Sequence, residues 1–371
     1  MNDIALTYRA PVVTPPGDSL AELLEERGMS QAELATRMGR PHNAINEVVK
    51  GVKQITADTA VELEKALGVP ARFWLAREAR YREYLARQKT LAADAQHLGW
   101  LEAFPLKDLQ NTGHLPEGSL TPAFKATLVG PLLQFFGVAS PLGWENQYNG
   151  NLQLAFRRAN PAKQTNTAAI SAWLRWGELA AARLNLPAHD PSKLRANLPA
   201  MRKLSTRPAA EIGAQLPQLC AQAGVALLFV PPLPGTHVTG VARWFGDKPL
   251  VQLSLLGKWN DVFWFSFFHE LGHVLLHPKK AVFLDDAASG QTKKSPEEQE
   301  ADKFAADTLI PPPRRRQLPA LTLNIPAVQF FASSLGIHPG IVVGALQHQG
   351  LLSYSHPLRD LKEKYSIAAP A

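Results

Sequence analysis

Two histidines four residues apart, with a glutamate directly after the first, are the residues in this chain best suited to chemistry. They lie in the run His269-Glu270-Leu271-Gly272-His273. On a helix, positions i and i+4 share a face, so both imidazoles can reach one Zn²⁺ and Glu270 can reach a water on that ion. A catalytic zinc keeps an open position and lowers the pKa of its water. The spacing therefore predicts hydrolysis of peptide bonds, with Glu270 as the catalytic base.

A second helix is predicted to supply the third metal ligand. The segment from Ser295 to Glu298 contains an N-cap serine, a first-turn proline and a capping-box glutamate. We assign Glu298 to capping on this basis. Glu300 shares a helix face with Phe304 and Asp307, beside small alanines, so we predict that Glu300 completes the site. The alternative, two histidines on an ordinary helix without a metal, stays open at this point.

Two further residues near the motif need an interpretation. Gly272 is expected to leave room over the metal, although it costs about 1 kcal/mol in helix propensity. His277 lies four residues after His273 on the same face. Because a helix rises about 1.5 Å per residue, three imidazoles spread over two turns would span about 12 Å, too far for one ion. We therefore interpret His277 as a residue that supports a ligand.

The segment around the motif resembles a known family. His-Glu-Leu-Gly-His, followed by Glu-Ala-Asp-x-Phe-Ala-Ala-Asp-x-Leu-Ile-Pro, is similar to the ImmA/IrrE metallopeptidases over roughly residues 215–355. In that family the glutamate before the Ala-Asp or Ala-Asn pair completes the zinc site. The resemblance therefore implies a zincin-like domain in which His269, His273 and Glu300 bind Zn²⁺ and Glu270 is the base. It also implies a protein substrate, a bacterial repressor or antitoxin.

Short helices with apolar spacing fill the first part of the chain. One helix begins at Ser30 and ends at Gly39, and a second runs from Pro41 to Lys50 before Gly51. Two helices joined by a glycine turn are typical of the helix-turn-helix motif, whose second helix enters the major groove of DNA. Predicted base-edge contacts are His42, Asn43, Asn46 and Arg40, and predicted phosphate contacts include Gln31 and Lys50.

The same segment resembles the Xre-type DNA-binding domains of the HigA antitoxin kind. The resemblance rests on Ser-Gln-Ala-Glu-Leu-Ala, on Ile-Asn-Glu-Val-Val-Lys-Gly and on the run from Ile55 to Leu75. It implies a double-stranded DNA operator as partner. Asn46 stands where that family often has serine, which leaves the base preference open. Residues 17–87 carry 11 basic and 11 acidic side chains, and phosphate neutralisation supplies most non-specific affinity, so we expect a homodimer on a two-fold site.

Length and patterning predict three segments. The chain has 371 residues, 46% of them apolar, which is enough for two or three packed units. We predict a helix-turn-helix domain at 17–87, a helical middle region of unknown role at 88–214 and a metallopeptidase domain at 215–355. The expected fold class is mainly α with a small β-sheet in the C-terminal domain (α+β). The strand from Val238 to Trp244 is the predicted sheet edge, along which a substrate would lie.

Composition excludes several other classes of protein. A single cysteine, Cys220, rules out an internal disulfide, and its apolar surroundings predict a core position. The segment from Met1 to Pro16 has no signal pattern, and no apolar run approaches the roughly 20 residues of a membrane span. We therefore expect a cytoplasmic protein without a membrane partner.

A second function stays open beside the peptidase. The chain could be a DNA-binding, antitoxin-type regulator whose zinc site is a sensor or a structural site without turnover. Glu270 argues against this alternative, because a structural metal site needs no base.

Overall fold

The chain forms two compact units, residues 1–97 and residues 98–371. The computed structural model describes residues 13–149, 166–254, 259–277, 283–286 and 295–365. The predicted fold class is confirmed, since helices dominate both units and a small sheet lies in the second. The chain divides at residue 97, and the described residues of the middle region from 98 onwards belong to the same unit as the sheet.

The first unit is a helical bundle. Its helices are α1 (Pro16–Glu26), α2 (Gln31–Arg37), α3 (His42–Val49), α4 (Ala57–Leu67) and α5 (Ala71–Asp94). The Ser30 hydroxyl accepts the Glu33 backbone N–H at 3.1 Å and so caps α2. Gly39, with φ of 62°, takes the left-handed conformation that lets the chain leave α2. α3 buries Ala44, Ile45 and Val48, which fixes the face that it turns away from the core.

Helices of the second unit precede, interrupt and follow its strands. They are α6 (Leu98–Leu101), α7 (Leu106–Asn111), α8 (Pro122–Phe136), α9 (Pro141–Trp144), α10 (Thr167–Ala182), α11 (Pro191–Lys203), α12 (Ala209–Ala221), α13 (Asn260–Leu276), α14 (Pro296–Leu309), α15 (Pro312–Arg315), α16 (Ile325–Leu335) and α17 (Pro339–His348). The strands are β1 (Ala226–Phe229), β2 (Val238–Phe245), β3 (Lys248–Leu253) and β4 (Phe283–Asp286). The sequence pattern from Pro141 to Arg158 predicts a further helix; helical structure continues to residue 149, and residues 150–158 lie outside the described residues.

The sheet has the strand order β1-β3-β2-β4. β1 runs parallel to β3, whereas β2 is antiparallel to both β3 and β4. β2 is therefore an interior strand, and the prediction that Val238–Trp244 forms the sheet edge is wrong. The reason is that β4, which the sequence pattern did not reveal, pairs with the side of β2 that was expected to be open.

Both faces of the sheet are buried, which explains why β1 is apolar throughout instead of alternating. Leu227 and Phe229 pack with the core that contains α13. Leu228 and Val230 point to the other face and pack with the middle helices. On that face the Gln252 side chain donates from Nε2 to the backbone oxygen of Trp173 at 2.7 Å. The middle region thus has a structural role, because it covers the sheet face opposite α13.

One described segment, Pro122–Tyr148, is long and apolar enough to cross a membrane by length and composition alone. The sequence pattern did not predict an apolar segment of this length. Inside this segment Leu128, Leu132 and Phe136 are buried in the core of the second unit together with Trp173. These residues pack in that core, and 33% of the apolar stretch is buried.

Candidate metal centre and nucleic-acid interface

The orientation of α13 is set by large side chains on one face. Trp264, Phe267, Phe268 and Leu271 are all fully buried, and they pack in the core between the sheet and the C-terminal helices. Burial of each such side chain is worth about 1.5–3 kcal/mol, so this face fixes the rotation of the helix. The predicted histidines therefore have a defined direction.

The two histidines point to one place, and a glutamate from α14 meets them there. Nε2 of His269 lies 3.0 Å from Nε2 of His273. Oε2 of Glu298 is 3.1 Å from Nε2 of His269, and Oε1 is 3.5 Å from Nε2 of His273. One ligand atom from each of the three residues lies within 4.8 Å of the others. Two imidazoles and a carboxylate are a donor set that suits zinc.

Glu298 therefore occupies the position that the sequence analysis gave to Glu300. The prediction of Glu300 as third ligand does not fit the structure, since its side chain is 64% exposed and reaches Nε2 of His277 at 3.2 Å. The cause is helix geometry: two residues apart on a helix means roughly 200° of rotation. Ala301 and Ala305 are fully buried, and Ala301 lies against Gly272 of α13. Glu298 is one turn from Ala301. Only the backbone N–H of Glu298 takes part in the cap, on the Ser295 hydroxyl, so its carboxylate reaches the histidines.

Gly272 has a different role from the one expected. A Cβ at this position would stand 3.2 Å from the Cα of Ala301 and 3.2 Å from Cδ1 of Phe304. Gly272 therefore makes room for α14, rather than for the metal. The close approach of the two helices is what brings Glu298 within reach of the histidines.

The far side of each imidazole also has a partner. Nδ1 of His269 lies 3.0 Å from Oδ1 of Asp302, one turn after Glu298 on α14. Nδ1 of His273 lies 2.9 Å from Nδ1 of His277, whose Nε2 reaches Glu300. Such contacts hold a metal-binding imidazole in its tautomer and orientation. In the structure, Glu300 and His277 thus belong to the surroundings of His273.

Glu270 lies between α13 and the sheet and is fully buried. Its carboxylate approaches β2 at Gly240, where a Cβ would stand only 2.7 Å from Oε1 of Glu270. Glycine inside a strand often marks such a close approach. Gly240 is thus a residue that the predicted site did not include, although its place inside a strand was the available signal.

Two of the converging residues, His273 and Glu298, have shifted pKa values. Burial lowers the pKa of His273, which disfavours the imidazolium. Burial raises the pKa of Glu298, but hydrogen bonds to His269 and His273 outweigh it and hold that pKa well below its usual range. Neutral imidazoles and an ionised carboxylate are the forms that bind a divalent metal ion. For His273 and Glu298 the pKa shifts are thus in the direction that metal binding requires.

The first unit presents a separate polar face. His42 and Asn43 are exposed at the start of α3, Asn46 is half-buried, and Lys50 is exposed directly after the helix. Gln31 is half-buried at the first position of α2. These five predicted DNA contacts lie on or beside the two helices of the motif, away from the buried residues of α3.

Arg40, the remaining predicted base contact, is bound inside the domain. Its Nε and Nη2 donate to the two oxygens of Glu62 on α4, at 2.5 and 3.2 Å. The hydrogen bond to Glu62 raises the pKa of Arg40. In this conformation the guanidinium ties α4 to the turn between α2 and α3.

Comparisons with known proteins find one family model in each of the two units. A helix-turn-helix family model matches residues 20–74, and the model of an IrrE N-terminal-like domain, a peptidase family, matches residues 261–332. No curated protein matches the chain.

Three solved structures are similar to about a fifth of this chain. An antidote protein of a plasmid maintenance system from Nostoc punctiforme is 32% identical over 21% of this chain and 85% of that chain, with a TM-score of 0.20. An addiction module antidote protein of the HigA family from Coxiella burnetii is 34% identical over 21% of this chain and 86% of its own, with a TM-score of 0.20. The antitoxin HigA of Pseudomonas aeruginosa, solved with the higBA promoter, is 28% identical over 21% and 86%, with a TM-score of 0.21.

Proposed function

We propose that this chain, which joins a helix-turn-helix domain to an IrrE N-terminal-like domain, is a transcriptional regulator with a zinc-dependent endopeptidase activity. Its substrate is a repressor or antitoxin protein, and its helix-turn-helix domain binds a double-stranded DNA operator as a homodimer. The protein acts in the cytoplasm. One observation carries the enzymatic part: two imidazoles and a carboxylate converge within 4.8 Å, and the buried Glu270 follows the first of these histidines.

His269, His273 and Glu298 would hold the metal ion. When bound, zinc would supply a Lewis acid that polarises a carbonyl and makes water acidic enough to react near neutral pH. Glu270 would take the proton of the attacking water on a carboxylate oxygen and pass it to the nitrogen of the leaving amine. Since Glu270 is fully buried and is held against Gly240, its carboxylate has little freedom to move away from this task.

Supporting residues keep the ligands in position. Asp302 holds His269 at Nδ1 and His277 holds His273 at Nδ1, so both imidazoles keep Nε2 turned towards Glu298. A site that only stored or sensed a metal ion would have no use for a buried carboxylate beside the ligands. Glu270 is therefore the residue that separates the peptidase from a metal sensor.

Zinc content and cleavage, measured on the same preparations, test the proposal. The full-length wild type is compared with Glu270→Gln, Glu298→Ala and Glu300→Ala, and each is incubated with the repressors and antitoxins encoded beside its gene. We expect one zinc per chain in the wild type, Glu270→Gln and Glu300→Ala, and loss of zinc in Glu298→Ala. Cleavage should require Glu270 and Glu298.

Glu300→Ala is the matched control, because it removes the same side chain from the same helix two residues away. If zinc depended on Glu300 and not on Glu298, the assignment of the third ligand would be wrong. Full zinc content without cleavage of any of these proteins would favour the sensor. A wild type that binds no zinc would contradict both functions of the site.

A further inference from the structure

A groove of about 740 Å³ runs along the first half of α13, before the two histidines. Its walls are largely apolar. They are formed by Val262 and Phe265 of α13, Leu309 and Ile310 at the end of α14, and Ile341 and Ala345 of α17. Pockets of about 300–1,000 Å³ take ligands of several side-chain volumes. The groove can therefore hold one large side chain with part of its neighbours.

The groove is continuous with the candidate metal centre. Asp302, which contacts Nδ1 of His269, lines it. The Phe265 ring, one helical turn before His269, also lines it, and its centroid is 6.2 Å from that of the His269 ring. Thr239 lines it from β2 and directly precedes Gly240, which lies against Glu270. A chain bound with its reacting carbonyl at the histidines would thus have an adjoining residue at the groove.

The charges in the groove are paired within the protein. Nζ of Lys362 lies 2.6 Å from Oδ2 of Asp261, and both side chains are about nine-tenths buried. Lys303 and Arg315 both contact the carboxylate of Asp307, and Asp302 contacts His269. The described residues that line the groove include five Asp, Lys and Arg side chains, which are Asp261, Asp302, Lys303, Arg315 and Lys362, and also His348. An entering charged group would lose water and meet charges that already have partners, which costs free energy, whereas an apolar group gains from burial.

We propose that this groove binds a large apolar side chain of the substrate protein, next to the bond that is cleaved, and thereby selects the cleavage site. The side chain is one of the size of leucine, methionine or phenylalanine. This inference rests on the proposed peptidase function and names the chemistry of its substrate. It predicts that residues of α13, α14 and α17 decide which substrate side chain is accepted. The metal ligands then take part in the reaction but not in this selection.

Binding of labelled peptides to the zinc-loaded, full-length Glu270→Gln variant tests the groove without turnover. The probes are blocked alanine hexapeptides with a dansyl label and a single Leu, Phe, Asp or Lys at the third position, followed by fluorescence anisotropy. We expect the Leu and Phe peptides to bind about tenfold or more tightly than the Asp and Lys peptides, as a hydrophobic pocket discriminates.

Two substitutions, each added to Glu270→Gln, locate the binding. Ala345→Phe fills the groove and should weaken binding of the Leu peptide about tenfold. Ala103→Phe adds the same side chain at an exposed position outside the groove and should leave that binding unchanged. Because Ala345→Phe could fail to fold, Val262→Asp is the second variant; Val262 is 39% exposed, and the new carboxylate should shift the preference from Leu to Lys.

The groove assignment is overturned by equal affinity for the four peptides, or by no saturable binding of any of them at millimolar concentration. It is also overturned by a folded Ala345→Phe variant that binds the Leu peptide as the control does. Cleavage of protein substrates by the wild type reports separately on the peptidase. Cleavage without an apolar preference would remove the groove proposal alone, and apolar binding without cleavage would remove the peptidase alone.

Discussion

Gly240 on β2 lies directly against the carboxylate of Glu270, so that a Cβ at position 240 would stand 2.7 Å from Oε1 and 3.0 Å from Cγ of Glu270. The substitution Gly240→Ala must therefore displace the glutamate, the strand, or both. A misplacement of about 1 Å at a catalytic group can cost about 100-fold in rate. We expect Gly240→Ala to lower kcat/KM about 10- to 100-fold while zinc content stays at the wild-type level, measured by a peptide-cleavage assay and metal analysis.

Gly99→Ala is the matched control for this substitution. A Cβ at position 99 meets no atom within 4 Å, and the residue belongs to the same unit. It should leave both activity and zinc content unchanged. Wild-type activity in a folded Gly240→Ala protein would mean that the position of Glu270 does not limit the reaction.

Asp302 should govern how tightly the metal is held, although it is not one of the three converging ligands. Removal of a residue that orients a ligating imidazole typically costs about 10- to 100-fold in metal affinity. We expect Asp302→Ala to weaken zinc binding by that factor, measured by competition with a chromophoric chelator. Asp360→Ala removes a carboxylate that is 82% exposed and should bind zinc as the wild type does. Equal affinities for the two variants would show that His269 needs no partner at Nδ1.

Cys220 should be unreactive in the folded protein. The side chain is fully buried, and burial raises the pKa of its thiol, so the reactive thiolate is disfavoured at neutral and mildly alkaline pH. We expect no reaction with a thiol-specific disulfide reagent under native conditions and one equivalent after denaturation. Ser333→Cys, at an exposed position of α16, supplies a reactive thiol as the control. Rapid labelling of Cys220 in the native wild type would contradict its burial.

The sequence predicted well what depends on neighbouring residues. The spacing of His269 and His273 needs only one helix to become a shared face, and the structure brings their Nε2 atoms within 3.0 Å. The ends of α8 are marked locally, by Pro122 in its first turn and by Gly137 after its last residue. Ser30 and Gly39 mark the ends of α2 in the same way.

What the sequence could not provide depends on how distant segments pack. Whether Glu298 or Glu300 reaches the histidines depends on which face of α14 packs on α13. The contact between Gly272 and Ala301 determines that face, and it exists only when the two helices have packed together. The capping pattern at Ser295 was read correctly for the backbone but wrongly for the Glu298 side chain. Likewise, the interior place of β2 depends on β4, about 40 residues later in the chain.

The DNA-binding prediction can be tested by separating base reading from phosphate contact. Asn43 is exposed at the start of α3, where a side chain can reach base edges, whereas Lys50 is exposed just after its end. We expect Asn43→Ala to relax the sequence preference at one operator position, at a cost of about 1–3 kcal/mol against the preferred base. Lys50→Ala should weaken binding to all sequences. It should also reduce the slope of the logarithm of the binding constant against the logarithm of the salt concentration by about one.

Anisotropy titrations of operator variants at several salt concentrations measure both effects. Lys89→Ala, on the far half of α5 and exposed, removes the same charge outside the motif and should change neither quantity. The neutral balance of residues 17–87 makes the test sharp, because no broad excess of positive charge can mask the loss of one lysine. An unchanged salt slope for Lys50→Ala, or an unchanged base preference for Asn43→Ala, would remove that residue from the interface.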